Sequence, residues 1–201
     1  CFNIGIGYSA GNALNAGDEN IFLGSYAGQS QTTATQNIFI GRRAGQSFVS
    51  GGSQVFIGND AGRKMCDGYQ NVAIGYAALR GSNTVADNTG EKNIALGTSA
   101  GEGLTSGDYN VFIGNEVGKS TTTGQDNVYL GRNAGLANAT GGYNIAFGLN
   151  AACAETAGWN NIVMGKYAKC TADGGFSQVI LGYLAGRCAT GNYTIGIGPY
   201  S

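Results

Sequence analysis

The sequence predicts an all-β protein: a parallel β-solenoid (β-roll) of about twelve coils with 17 residues per coil. Three observations predict it. One glycine recurs at Gly7, Gly24, Gly41, Gly58, Gly75, Gly97, Gly114, Gly131, Gly148, Gly165, Gly182 and Gly198; the steps are 17 four times, then 22, then 17 five times, then 16. Around each glycine the chain rewrites N-[IV]-x-[IL]-G-x-x-A-G, as in "NIFLGSYAG" from Asn20, "NIFIGRRAG" from Asn37 and "NVYLGRNAG" from Asn127. Composition agrees, with 37 glycines and 1 proline among 201 residues. That supplies many tight turns without the prolines a collagen-like chain needs. A unit of this length is too short for a helix pair or a propeller blade, and it suits one coil with two short strands and two turns. The repeat fills residues 1–201 as one domain, with five extra residues in the coil spanning 80–92.

Each position in the unit has a physical reason. The residue after the Asn is Ile or Val in all twelve units, from Ile4 to Ile195, which suits a pleated strand. Two residues on stands another large apolar residue, such as Ile40, Ile113, Phe147 or Met164. Period-two spacing puts these two positions on one strand face, expected to point into the coil. The small Ala of the second half (Ala10, Ala27, Ala44, Ala61) closes the narrow coil from the other side. Burying two aliphatic side chains per coil contributes roughly 3–6 kcal/mol gross, most of it offset by backbone ordering, so a stack folds where a single coil does not. A second glycine column, Gly17, Gly51, Gly68, Gly90, Gly107 and onward, is expected to take a left-handed turn. Asn20, Asn37, Asn71, Asn93, Asn110, Asn127, Asn144 and Asn161 form one column. Their amides are expected to hydrogen-bond up the stack, as in cross-β structures.

The strand's middle position is then expected to face outward. It reads Phe22, Phe39, Phe56, Phe112, Tyr129, Val163 and Ile180 among smaller residues. An apolar stripe several coils long marks an interface, so these seven are expected to pack against further copies of the chain.

The units resemble the β-roll heads of trimeric autotransporter adhesins and repeats in bacteriophage tail fibres. The resemblance rests on the Asn-aliphatic-x-aliphatic-Gly core and covers every unit, although the coils here are longer than those of the adhesin heads. It implies a parallel homotrimer and an extracellular, cell-surface or virion-tail location. The function expected is a structural or adhesive fibre segment that projects or forms a receptor-binding surface. The partners expected are the chain itself and a cell-surface glycan or receptor. Turn aromatics Tyr69, Tyr109, Tyr143, Trp159 and Tyr193 are the candidates for stacking on sugars. Neither end of the sequence carries a cap, so a longer fibre is expected around it. An extracellular self-assembling fibril or an ice-binding solenoid is the alternative, suggested by the interrupted column Thr105, Thr122, Thr156 and Thr190.

Other chemistry is expected to be absent. "GYSAG" at Gly7–Gly11 and "GTSAG" at Gly97–Gly101 match the nucleophile elbow of serine hydrolases. There is no histidine to build a triad, and the slot of Ser9 and Ser99 holds Tyr26, Arg43, Asp60, Ala77, Glu116 or Asn133 in other coils. "GNEVGKS" at Gly114–Ser120 is one residue short of a P-loop. No catalytic residue, cofactor site or metal site is expected. A net charge of −1 without a basic cluster argues against nucleic acid. No apolar run approaches the roughly 18 residues of a membrane span. Of five cysteines, Cys153 and Cys170 share a column and Cys188 lies one position out, so two of these three could pair or all could stay free.

Overall fold

A computed structural model of the chain describes residues 2–83, 87–171, 174–187, 189 and 191–201. Twelve three-residue strands, β1 (Ile4–Ile6), β2 (Ile21–Leu23), β3 (Ile38–Ile40), β4 (Val55–Ile57), β5 (Val72–Ile74), β6 (Ile94–Leu96), β7 (Val111–Ile113), β8 (Val128–Leu130), β9 (Ile145–Phe147), β10 (Ile162–Met164), β11 (Val179–Leu181) and β12 (Ile195–Ile197), form one parallel sheet in chain order. Register never slips: Ile38 pairs with Val55, Phe39 with Phe56 and Ile40 with Ile57, and each later pair repeats this. The five-residue insertion does not disturb it, since Val72 pairs with Ile94 across it.

The second strand expected in each coil is not built. Only isolated bridges, Thr35 to Gly52 to Tyr69 and Trp159 to Phe176, occupy that side among the described residues. The return path is a series of tight corners. Non-glycine residues adopt left-handed conformations in two recurring columns. One holds Ser9, Tyr26, Arg43 and Asp60, with φ of 54° to 63°. The other is the residue before the Asn, such as Gln36, Tyr109 and Tyr143, with φ of 57° to 59°. Left-handed backbone is disfavoured for L-residues. Here each corner is held by backbone bonds to the neighbouring coil, as Arg43 N–H donates to Ser25 O (2.9 Å) and Asp60 N–H to Arg42 O (3.0 Å). The glycines preceding the Asn play a different part from the one expected. Gly51, Gly68 and Gly175 are left-handed, but Gly107, Gly124 and Gly141 are not. Glycine is required at these last three because a Cβ would press on a carbonyl oxygen of the next coil.

The strands face the opposite way from the sequence expectation. In β2, β3 and β4 the middle residue is buried and its two neighbours are only partly covered. Phe22, Phe39, Phe56, Phe112, Tyr129, Val163 and Ile180 are therefore not an interface ladder; each is 0–1% exposed inside the chain's own coil. The Ala column closes that core as expected, with Ala27, Ala44 and Ala61 fully buried. The reversal has a steric cause. A 17-residue coil leaves room for one inward side chain per strand, and the wall opposite is glycine. A Cβ on left-handed Gly28 would meet the Phe22 ring at 2.6 Å, and one on Gly45 would meet Phe39 at 2.5 Å. The rings stack along the axis: Phe39 and Phe56 lie 5.0 Å apart with planes 6° from parallel, and Phe48 packs edge-on against both. In three coils with a smaller inward residue the glycine gives way to a larger one, although Ala95 keeps Gly101. Leu79, Ala152 and Lys169 take the glycine position in the coils of Ala73, Ala146 and Val163.

The Asn column carries a continuous hydrogen-bonded ladder. From Asn20 to Gln178, each backbone N–H donates to the side-chain oxygen one coil earlier, with Gln54 filling one rung. Asn110 shows a complete rung. Its Nδ2 donates to Asn93 Oδ1 (3.0 Å) and Gly124 O (2.8 Å), while its Oδ1 accepts from the N–H (3.1 Å) and Nδ2 (3.0 Å) of Asn127. All of this is buried, so removing it leaves donors and acceptors unpaired away from water. Asn110→Ala is expected to lower stability by about 2–4 kcal/mol, measured by urea unfolding. A loss within the error of the exposed control Thr123→Ala would show that the ladder contributes nothing.

Candidate interaction surface

The residues expected inside the coil are outside it. Every strand presents its first and third side chains outward, and across all twelve strands these are Ile, Val, Leu, Phe or Met. The outer sheet face therefore holds no charged or polar side chain. In mid-sheet, Ile113 is 37% exposed, Phe147 50% and Met164 39%, although each has a strand on either side. Strands spaced about 4.8 Å apart make this a strip on the order of 55 Å long and 10 Å wide.

Two aromatic rows border the strip. On the side entering the strand, the candidates Tyr69, Tyr109, Tyr143, Trp159 and Tyr193 are all exposed, with Phe176 among them. They associate in pairs, Tyr143 with Trp159 (5.9 Å between centroids) and Phe176 with Tyr193 (5.5 Å). Lys92 Nζ lies 4.8 Å from the Tyr109 ring centre and donates to its hydroxyl at 2.8 Å; that bond raises the Lys92 ammonium above its ordinary range. On the leaving side stand Tyr8, Tyr76, Tyr183 and Tyr200, all exposed, and the sequence reading missed them. Tyr8, Tyr76 and Tyr183 follow the strand-end glycine and Tyr200 stands one position later, so no column of the repeat singles them out. The aliphatic face itself was missed because both faces of each strand are apolar. A partial signal is the size match between inward residue and facing position, visible at Ala73 with Leu79, Ala146 with Ala152 and Val163 with Lys169 but not at Ala95 with Gly101.

The remaining motifs resolve into coil parts. Ser9 and Ser99 lie at left-handed corners, with φ of 54° and 53°. Their column is buried in several coils, at Asp60, Ala77 and Ser99. Asp60 there is ion-paired with Arg43 and accepts from its Nη2 at 3.1 Å. Gly114 and Gly118 of the P-loop-like stretch are a strand end and the wall against Phe112. Thr105 and Thr122 donate their hydroxyls to Thr122 O and Ala139 O (3.0 Å each), which ties the Thr column into the coil stack; Thr190 lies outside the described residues. Cys153 and Cys170 form a disulfide between adjacent coils. Cys188 lies outside the described residues. Cys66 is a half-buried free thiol whose burial raises it above the ordinary thiol range. The insertion is anchored by Asn88, which is fully buried and donates to Lys64 O (2.9 Å) and Ser82 O (3.1 Å). Among the described residues no group of three His, Cys, Asp or Glu side chains could hold a metal, and no helix is long and apolar enough to cross a membrane.

No family model, curated protein or solved structure matches the chain. What the structure bears out is a parallel solenoid of repeats.

Proposed function

We propose that this chain is a structural and adhesive segment of an extracellular fibre, on a cell surface or a virion tail. The solenoid is the shaft, further copies of the chain cover its aliphatic face, and the aromatic rows meet a surface glycan or receptor. One observation carries the reading: a sheet face of twenty-four apolar side chains with no charge among them. Soluble monomers rarely leave contiguous apolar patches of this size open. With its tyrosine borders the strip approaches the ~800 Å² per partner typical of stable interfaces. The resemblance to adhesin heads suggests three copies in parallel, and the earlier Phe stripe is replaced in that role by the first and third strand positions.

The test is the mass of the particle in solution. The wild-type chain is expected to run as a trimer in mass photometry. Ile113→Lys combined with Leu130→Lys places charge in mid-face and is expected to yield monomers with unchanged far-ultraviolet circular dichroism. A wild-type monomer at micromolar concentration would sink the assembly reading.

A further inference from the structure

The solenoid core holds one charged pair among the described residues, in the coils of β9 and β10. Glu155 stands at the inward position that is Phe48, Met65 or Leu104 in other coils, and Lys169 stands where other coils have the wall glycine. Their side chains are 1% and 0% exposed. Lys169 Nζ donates to Glu155 Oε1 at 2.5 Å and to Gly174 O at 2.7 Å. Asn161 Nδ2, a rung of the Asn ladder, donates to the same Glu155 Oε1 at 2.9 Å and to Gly175 O at 3.2 Å. One carboxylate oxygen thus gathers a buried primary amine and a buried carboxamide. Burial of an ion pair is costly, and nothing in the repeat asks for one here. Gly158 supports the arrangement, since a Cβ there would fall on the Glu155 carboxylate.

We propose that Lys169 and Asn161 become joined by a side-chain amide bond, with Glu155 as the proton-transfer group. The chemistry balances without a cofactor. Lys169 passes one proton to Glu155 and becomes a free amine. Nζ attacks Asn161 Cγ, and the C–N bond to Nδ2 breaks as the new one forms. Glu155 relays the second Nζ proton to the departing nitrogen, which leaves as ammonia. The products are a secondary amide, a neutral Glu155 acid and free ammonia, so no buried charge remains. A dry site that holds both reacting groups on one acid–base residue favours this reaction through proximity and proton relay. The ladder survives it. Asn161 Oδ1 becomes the oxygen of the new amide and still accepts from Gln178 N–H at 3.0 Å. The bond would close coil 10 across the weak part of the core, where Ala146 and Val163 stand in place of rings. The Cys153–Cys170 disulfide ties the same coil to its neighbour.

Mass spectrometry of the full chain, reduced so that the disulfide does not contribute, tests this directly. The expected intact mass is lower than that of the sequence by one ammonia. Trypsin is expected to cut after Lys166 but not after Lys169, and the peptide carrying Asn161 should emerge joined to the one carrying Lys169. Lys169→Arg and Glu155→Gln should each return the mass to that of their own sequence. A full-length mass after prolonged incubation at neutral pH overturns the proposal. So does a deficit of one water with the branch at Glu155.

Discussion

Replacing Phe39 by alanine is expected to lower the stability of the solenoid by about 3–5 kcal/mol, the cost of emptying a buried aromatic site. Phe39 is wholly buried, stacks on Phe56 at 5.0 Å, lies 5.6 Å from Phe22 and receives the edge of Phe48 at 5.6 Å. Collapse cannot fill the hole, because the wall on the far side is the backbone of Gly45 and the coils above and below hold their own rings. Ile38→Ala and Ile40→Ala are expected to cost about 1 kcal/mol each, since their side chains are only half-covered by their own chain. The comparison belongs in the Ile113→Lys/Leu130→Lys background, where assembly does not bury the outer face. Urea midpoints there should fall far more for the phenylalanine than for either isoleucine. The reverse order would show that the strands face the other way.

Gly41→Ala should cost at least as much, for a different reason. Gly41 ends β3 with φ of 129°, a region open to glycine and strained for every L-residue. A Cβ there would also lie 2.6 Å from the carbonyl carbon of Gly58 in the next coil. The neighbouring atom is backbone in a hydrogen-bonded stack, so it cannot swing away. Strain and overlap together are expected to remove roughly 3 kcal/mol or more. Gly198 separates the two contributions. It has a similar φ of 115°, but a Cβ there meets nothing within 4 Å. Gly198→Ala should therefore cost only the strain, on the order of 1–2 kcal/mol. Equal losses at Gly41 and Gly198, measured by urea unfolding, would show that coil-to-coil contact is not what keeps glycine in this column.

The predicted assembly surface illustrates how far a repeat can be read. The period, the parallel stacking and the unbroken register are all legible, because each coil must place the same residue types in the same place to bond to its neighbours. The Asn rungs are legible for the same reason: an amide recurring at one position next to a strand has its partners one coil away. The left-handed corners at Tyr26, Arg43 and Asp60 are not. The Tyr26 and Arg43 side chains do not favour that conformation, and bonds made by neighbouring coils hold it. The Lys169–Glu155–Asn161 cluster is equally hidden, since its members come from three columns and two coils.

The sequence by itself determined a stack of parallel coils with strands at Asn-aliphatic-x-aliphatic-Gly, and it determined that the first and third strand residues share a face opposite the second. Tertiary structure alone decided which face is inside. Alternation assigns an interior only when one face is polar, and here both are apolar, so hydrophobicity does not choose. Volume does. The interior of a 17-residue coil takes one side chain from the strand; the left-handed glycines opposite accept the flat ring of Phe22 or Phe39 and leave the strand no second inward slot. The aliphatic pairs are forced outward by that lack of room, and the surface they make follows from it.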